Sequence, residues 1–138
     1  MEYKIYNYIE AKDIVYLRDL LGWKKVSEEQ FVRSLKNTMC SVSIKNDNDV
    51  IAVGRVVGDY YTKGLLSDIL VNPKYQGMGY GKIIINNLLK QIKDNLNIGD
   101  LFMLEASPTC GNRDFYVKCG LKYKPENQDG VYVWIEKE

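Results

Sequence analysis

The stretch from Ser67 to Leu89, SDILVNPKYQGMGYGKIIINNLL, constrains this chain more than any other. Ser67 to Val71 predicts the end of a buried strand, and Asn72-Pro73 stops it. Gln76-Gly77-Met78-Gly79-Tyr80-Gly81 follows, with glycine at every second position. An apolar helix comes next, with Ile84, Leu88 and Ile92 on one face at a spacing of four. Strand, glycine turn and helix start together make an anion site. Glycine permits backbone angles that other residues resist and lets the main chain approach a ligand closely. The first N–H groups of a helix lack partners within it, and the helix dipole favours negative charge there. Lys82 adds a positive side chain. The stretch therefore predicts a phosphorylated ligand.

Spacing excludes two familiar phosphate loops. The Walker loop needs G-x-x-x-x-G-K-[ST], but Ile83 stands where the magnesium-holding hydroxyl belongs and Gln76 where the first glycine belongs. The dinucleotide fingerprint needs G-x-G-x-x-G, and after Gly77 and Gly79 its third glycine would fall at Lys82. A nucleotide-binding regulatory domain is disfavoured accordingly. What fits is Gln76-x-x-Gly79-x-Gly81 after a strand ending in Val71-x-Pro73. This resembles the acetyl-CoA signature [RQ]-x-x-G-x-[GA] of the GNAT superfamily of N-acetyltransferases. The wider text Asp68-Ile-Leu-Val-Asn-Pro-Lys-Tyr-Gln-Gly-Met-Gly-Tyr-Gly is similar to that family's strand, loop and helix. A second stretch, Asn112-Arg-Asp-Phe115-Tyr116-Val-Lys118-Cys119-Gly120-Leu121, resembles its N-x-x-F-Y-x-K-x-G-F motif, with Leu121 in place of the usual phenylalanine at a packing position.

Bulk properties narrow the remaining classes. The 138 residues suffice for one domain over 1–138 with a real core. A net charge of +1 advertises neither nucleic acid nor a membrane surface. No apolar run approaches the roughly 20 residues of a membrane span. The N-terminus MEYKIYNYIEAKD alternates apolar and polar residues and does not read as a signal peptide. Cys40, Cys110 and Cys119 are odd in number and lack metal spacing, so reduced thiols in a cytoplasmic protein are expected. Histidine is absent, which excludes Ser-His and Cys-His nucleophilic machinery and any histidine-ligated metal.

The order of elements follows from local patterns. Tyr3 to Tyr8 alternates as a strand, and Ala11 to Leu21 carries the helical stripe Ile14, Leu17, Leu20, Leu21, closed by Gly22. Ser27-Glu28-Glu29-Gln30 is a capping box for a helix with Phe31 and Leu35 on its apolar face. The aromatics here, Trp23 and Phe31, are read as core. Cys40 to Ile44 and Val50 to Val57 are the arms of a hairpin turned by Asn46 to Asp49. Arg55 in the second arm is read as a surface charge, ahead of a contact with an anionic substrate. Gly64 to Val71 leads into the glycine loop. Leu101 to Ala106 is a continuous apolar strand, as expected in a central position. A loop from Ser107 to Gly111, a short helix from Asn112 to about Lys118 closed by Cys119-Gly120, a strand from Leu121 to Lys124, a turn at Asp129-Gly130 and a last strand through Val131, Val133 and Ile135 complete the chain. The order β-α-α-β-β-β-α-β-α-β-β matches the GNAT fold: an α/β (α+β) domain with a central mixed, mostly antiparallel twisted sheet of about seven strands flanked by about four helices.

The resemblance implies acetyl transfer from acetyl-CoA to a primary amine by direct attack in a ternary complex, without a metal. The alternative is a non-catalytic acetyl-CoA sensor or interaction module. Ile69, Leu70 and Val71 are expected to pair with the pantetheine arm through their main chain, as an added strand would. Gln76, Gly77, Met78, Gly79, Tyr80, Gly81 and Lys82 are expected to hold the pyrophosphate, with Asn112 and Lys118 touching the cofactor from across the cleft. Tyr116 occupies the position of the family's general acid. A main-chain N–H near Leu70 or Val71 would hold the thioester carbonyl. Asp68 is the leading candidate for base or ammonium binder, equally readable as a carboxylate that fixes the strand; Glu105 is the alternative, and solvent a third. The acceptor is open among small amines, polyamines, aminoglycosides and protein amino groups. Asp68 to Gly77 and Phe115 to Gly120 also look similar to glucosamine-6-phosphate N-acetyltransferases. A homodimer is compatible with the sequence.

Overall fold

A computed structural model describes residues 2–108, 112–124 and 130–138. The expected loop at 109–111, with Cys110, and Asp129 of the expected turn lie outside the described residues.

Among the described residues, seven strands form one sheet: β1 (Lys4–Tyr6), β2 (Cys40–Lys45), β3 (Val50–Gly58), β4 (Lys63–Val71), β5 (Leu101–Ala106), β6 (Lys122–Tyr123) and β7 (Val131–Glu136). Their spatial order is β1-β2-β3-β4-β5-β7-β6. Every neighbouring pair is antiparallel except β4 and β5, which run parallel at the centre. Helices α1 (Ala11–Leu20) and α2 (Glu28–Lys36) cover one face, α3 (Tyr80–Asn95) the other, and α4 (Arg113–Lys118) packs beside α3's core.

The two cores follow the alternation of β3 and β4. Val53 and Leu70 point into the layer with Ile14, Leu17 and Phe31, while Ala52, Val56 and Leu66 point into the layer with α3. Ile84, Ile85, Leu88 and Ile92 are fully buried, each contributing about 1.5–3 kcal/mol. α3 lies so close to β3 that a Cβ on Gly54 would sit 2.4 Å from Ile84 Cγ2. Gly54 is thus a contact requirement of the helix–sheet interface.

One expectation changes and one holds. Leu20 is 45% exposed, because the inward face of α1 runs through Ile14, Leu17 and Arg18. β5 is covered on one face only: Phe102, Leu104 and Ala106 are buried against α3's side, whereas Leu101 is exposed and Met103 and Glu105 half-buried. It lies between β4 and β7, inside the sheet, which is the central position its apolar text leads one to expect.

Candidate active site

β4 is where the site is made. Arg55 pairs with Ser67 and Val53 with Leu70, so Asp68 and Ile69 together oppose Gly54 alone. This is a β-bulge, and Asp68 takes its left-handed angle there, with φ +52°. Pairing with β5 covers only Lys63 to Leu65, opposite Met103 to Glu105. Beyond Leu65, β4 stays on β3 and parts from β5. The Asn72 N–H donates to Ile51 O at 2.8 Å. Residues 51/72 and 53/70 are then the bonded pairs of the ladder, and the amides of Ile69 and Val71 face the side that β5 has left.

The chain then turns through Pro73–Tyr75, a single 3-10 turn capped by Asn72 Oδ1, which accepts the Lys74 N–H at 3.0 Å. The fully buried Asn72 also donates through Nδ2 to Val50 O at 3.0 Å, so it fixes the loop to β3 as well as stopping the strand. The Gln76 amide donates back to Val71 O at 3.1 Å. Gly77 and Gly79 take φ +80° and +89°, the left-handed region that other residues resist. Gly79 is the N-cap of α3, and no side chain of the described residues caps it. The first intrahelical bond is Ile83 N–H to Gly79 O, at 3.2 Å. That leaves the amides of Tyr80, Gly81 and Lys82 without partners within the helix.

Gly81 has a different reason. A Cβ there would lie 2.9 Å from Phe115 Cζ, so the glycine admits the ring of α4 against the first turn of α3. The two sequence motifs are thus packed together. Phe115 stacks edge-on against Tyr116 at 5.2 Å, and Tyr116 comes to the same cleft.

The cleft encloses about 620 Å³. Of the residues expected to hold the cofactor, Ile69, Leu70, Val71, Gln76, Gly77, Gly79, Tyr80, Gly81, Lys82, Asn112 and Lys118 all line it. Met78 does not; its side chain is 63% exposed. Tyr80 is mostly buried, packed edge-on against Tyr3 and Tyr75, so what it presents to a ligand is its amide. Burial, with a smaller push from Cys119, raises the Tyr116 phenol to about 12. The Cys119 thiol beside it is also raised by burial, against a smaller lowering by Lys82.

The acids are placed otherwise than expected. Asp68 does not line the cleft, and its side chain is only 7% exposed. Arg18 Nη1 donates to its Oδ1 at 2.7 Å and Arg55 Nε to its Oδ2 at 2.8 Å. It is a carboxylate engaged on both oxygens beneath α1 and α2, not one poised to take a proton from an amine in the cleft. Arg55 is correspondingly not a surface charge: its side chain is 12% exposed. Glu105 is held below the usual carboxylate range by hydrogen bonds from Lys124 and Lys63, at 2.8 and 2.9 Å, and it too lies outside the cleft.

Sequence reasoning missed Arg18, Leu21 and Trp23. Leu21 and Trp23 line the cleft from the connection after α1, and the Arg18 guanidinium lies 5.1 Å from the Trp23 ring centroid. Trp23 is therefore not core. The one available signal was a charged residue on the apolar face of α1, four positions after Ile14. Among the described residues, no group of three or more Cys, Asp or Glu side chains converges as a metal site, and no helix is long and apolar enough to cross a membrane.

Comparison with known proteins agrees with this geometry. A family model described as Acetyltransferase (GNAT) family matches residues 6–121. A soybean protein named histone acetyltransferase TAP1 is 24% identical over 135 residues, covering 90% of this chain and 57% of that protein. The chloroplastic GCN5-related N-acetyltransferase 2 of Arabidopsis thaliana is 25% identical over 149 residues, covering 94% of this chain and 56% of that protein. The chain thus spans little more than half the length of these relatives. A crystal structure of a probable acetyltransferase from Staphylococcus aureus superposes with a TM-score of 0.77 at 26% identity, covering 91% of this chain and 95% of that one. The ribosomal-protein-S18-alanine N-acetyltransferase of Escherichia coli shares the fold, with a TM-score of 0.74 at 14% identity over 99% of this chain and 96% of its own.

Proposed function

Because the chain belongs to the acetyltransferase (GNAT) family, we propose that it transfers the acetyl group of acetyl-CoA to a primary amine, on a small molecule or a protein, by direct attack in a ternary complex. The observation that carries this reading is the parting of β4 from β5 after Leu65, beside an uncapped α3. An extended thioester arm fits where β5 has left, bonded by the outward amides of Ile69 and Val71. Its phosphates then reach the free amides of Tyr80, Gly81 and Lys82, with the Lys82 ammonium adding charge. Asn112 and Lys118 approach from the α4 side.

The chemistry needs a neutral amine, a polarised carbonyl and a stabilised leaving thiolate. The amine nitrogen forms the new bond to the acetyl carbon, the carbon–sulfur bond breaks, and the sulfur leaves with the electron pair. For the carbonyl we assign the Val71 N–H. The register of β3 and β4 commits the Leu70 N–H to Val53 and leaves Val71 facing the cleft. For the leaving sulfur we assign Tyr116. With the phenol at about 12 and an ordinary thiol near 8.5, outright proton transfer would run uphill by about 5 kcal/mol. Tyr116 therefore acts first as a charge-assisted hydrogen-bond donor to the sulfur, and the thiolate is protonated as the amine's proton is released. Asp68 and Glu105 both lie outside the cleft, so solvent is the base we assign. Two of the cysteines, Cys40 and Cys119, are free thiols, which supports a reducing, cytoplasm-like compartment.

The test is release of free CoA thiol from acetyl-CoA in the presence of a panel of primary amines. Amine-dependent release that is saturable in both reactants supports the reading. Binding of acetyl-CoA with no release for any amine would point to the sensor alternative.

A further inference from the structure

The cofactor side of the cleft uses neither Asp68 nor the two arginines that grip it. These three residues instead join every element on the opposite side. Beyond Asp68 each arginine is fixed a second time. Arg18 Nη2 donates to Lys24 O at 2.9 Å, and Arg55 Nη1 donates to Ser34 Oγ and Thr38 Oγ1, each at 3.0 Å. The Phe31 ring of α2 lies 5.4 Å from the Arg18 guanidinium and 5.7 Å from that of Arg55. One carboxylate, 7% exposed, thus ties β4 to α1, to the connection at 21–27, to α2 and to β3. Trp23, stacked under Arg18, carries the tie to the rim of the cleft.

Two cations converge on a single anion. Without the carboxylate, like charges would face each other in a half-dry layer, and the arginines would turn outward. The bulge beneath makes a separate demand. At φ +52° the backbone of residue 68 favours Gly, Asn or Asp. Backbone and carboxylate requirements are therefore separable by substitution.

We propose that Asp68 is a positioning residue: gripped by Arg18 and Arg55, it pins the α1–α2 roof to the bulge of β4 and so sets where Trp23 and Leu21 stand over the path of the acceptor amine. The pin follows from the ion pairs alone. Only its consequence for the amine rests on the transferase reading.

The experiment compares the full chain as wild type, Asp68→Asn and Asp68→Gly by amide hydrogen exchange, with and without CoA, alongside CoA-induced thermal shifts. Both substitutions accept the left-handed backbone, Asn keeps one acceptor oxygen, and Gly keeps none. Exchange across 18–31 is expected to rise in the order wild type, Asn, Gly, by about tenfold or more in Gly, with α3 unchanged. The CoA-induced shift stays alike in all three. With spermidine, glucosamine 6-phosphate and an alanine-terminated peptide as acceptors, the amine KM rises by about tenfold in Asp68→Gly, and the acetyl-CoA KM holds within about twofold. If Asp68 serves only its own backbone, Asp68→Gly will protect 18–31 as well as wild type does, and the proposal fails. It fails equally if the acetyl-CoA KM rises in place of the amine KM. The exchange ordering decides the pin even if none of the amines is turned over. Absence of any CoA-induced shift in wild type would instead sink the transferase reading and leave the exchange comparison standing.

Discussion

Helices α2 and α3 begin in opposite ways. α2 opens on Ser27, whose Oγ accepts the Gln30 N–H at 3.1 Å. α3 opens on Gly79, which has no side chain to offer, so its first amides point into the cleft. Both face the same problem of donors with no partner in the helix. At α2 the chain solves it locally. At α3 it forgoes about 1 kcal/mol of capping, and among the described residues no side chain takes up the donors. The cleft repeats the contrast on a larger scale. On one side the glycine loop makes demands on backbone angles, whereas the α1–α2 layer on the other side is tied down by side chains of α1, α2, β3 and β4.

The largest effect should come from closing the uncapped end. Gly79→Val puts a β-branched residue at φ +89°, and acetyl-CoA affinity is expected to fall by more than about 100-fold, erasing the ligand-induced melting shift. Tyr116→Phe should leave that shift intact while lowering turnover by about 10²- to 10⁴-fold in the thiol-release assay. Equal turnover would remove Tyr116 from the mechanism. The raised phenol also fixes a sign. The contribution of the neutral buried phenol to stability is fully present below the ordinary tyrosine value near 10 and is lost as pH rises through about 12. Melting profiles should then show Tyr116→Phe losing less stability than wild type above pH 10, and turnover should not decline with Tyr116 ionisation below that pH. Lys82→Ala is a smaller change: acetyl-CoA binding should weaken by about tenfold and lose part of its salt dependence. Smallest is Ser27→Ala, which should cost about 1 kcal/mol, or about 4 °C in midpoint, without altering the acetyl-CoA shift. If Ser27→Ala changed the shift as much as Gly79→Val, the contrast between the two helix starts would collapse.

The same contrast explains what the sequence reveals. The glycine loop is written in contiguous text because its demands are on the backbone. Left-handed angles at 77 and 79 call for glycine, and the helix must start immediately afterwards. Even here Gly81 misleads, since it makes room for Phe115 from the second motif, 34 positions on. The tie beneath α1 and α2 is not legible because its parts lie far apart: Arg18 is separated by 50 residues from the carboxylate it holds, and Arg55 by 13. Asp68 read alone is an acid beside an expected thioester. Only the fold supplies the two guanidinium groups that take its oxygens. β5 is legible as an inner strand, though not how far each face is covered. Its apolar run shows that residues are suited to burial, but whether a second layer covers Leu101 and Met103 depends on helices placed elsewhere.

The most direct test of the central claim is a thermal melt of the intact protein with acetyl-CoA, CoA, ATP and NAD in separate wells. A ligand at 100 times its dissociation constant adds about 2.7 kcal/mol, which in a chain of this size raises the midpoint by about 5 °C or more. A rise with acetyl-CoA and CoA alone is the predicted result. A rise with ATP or NAD and none with CoA would contradict the assignment of the glycine turn, and the acetyl-transfer chemistry built on it would fall as well.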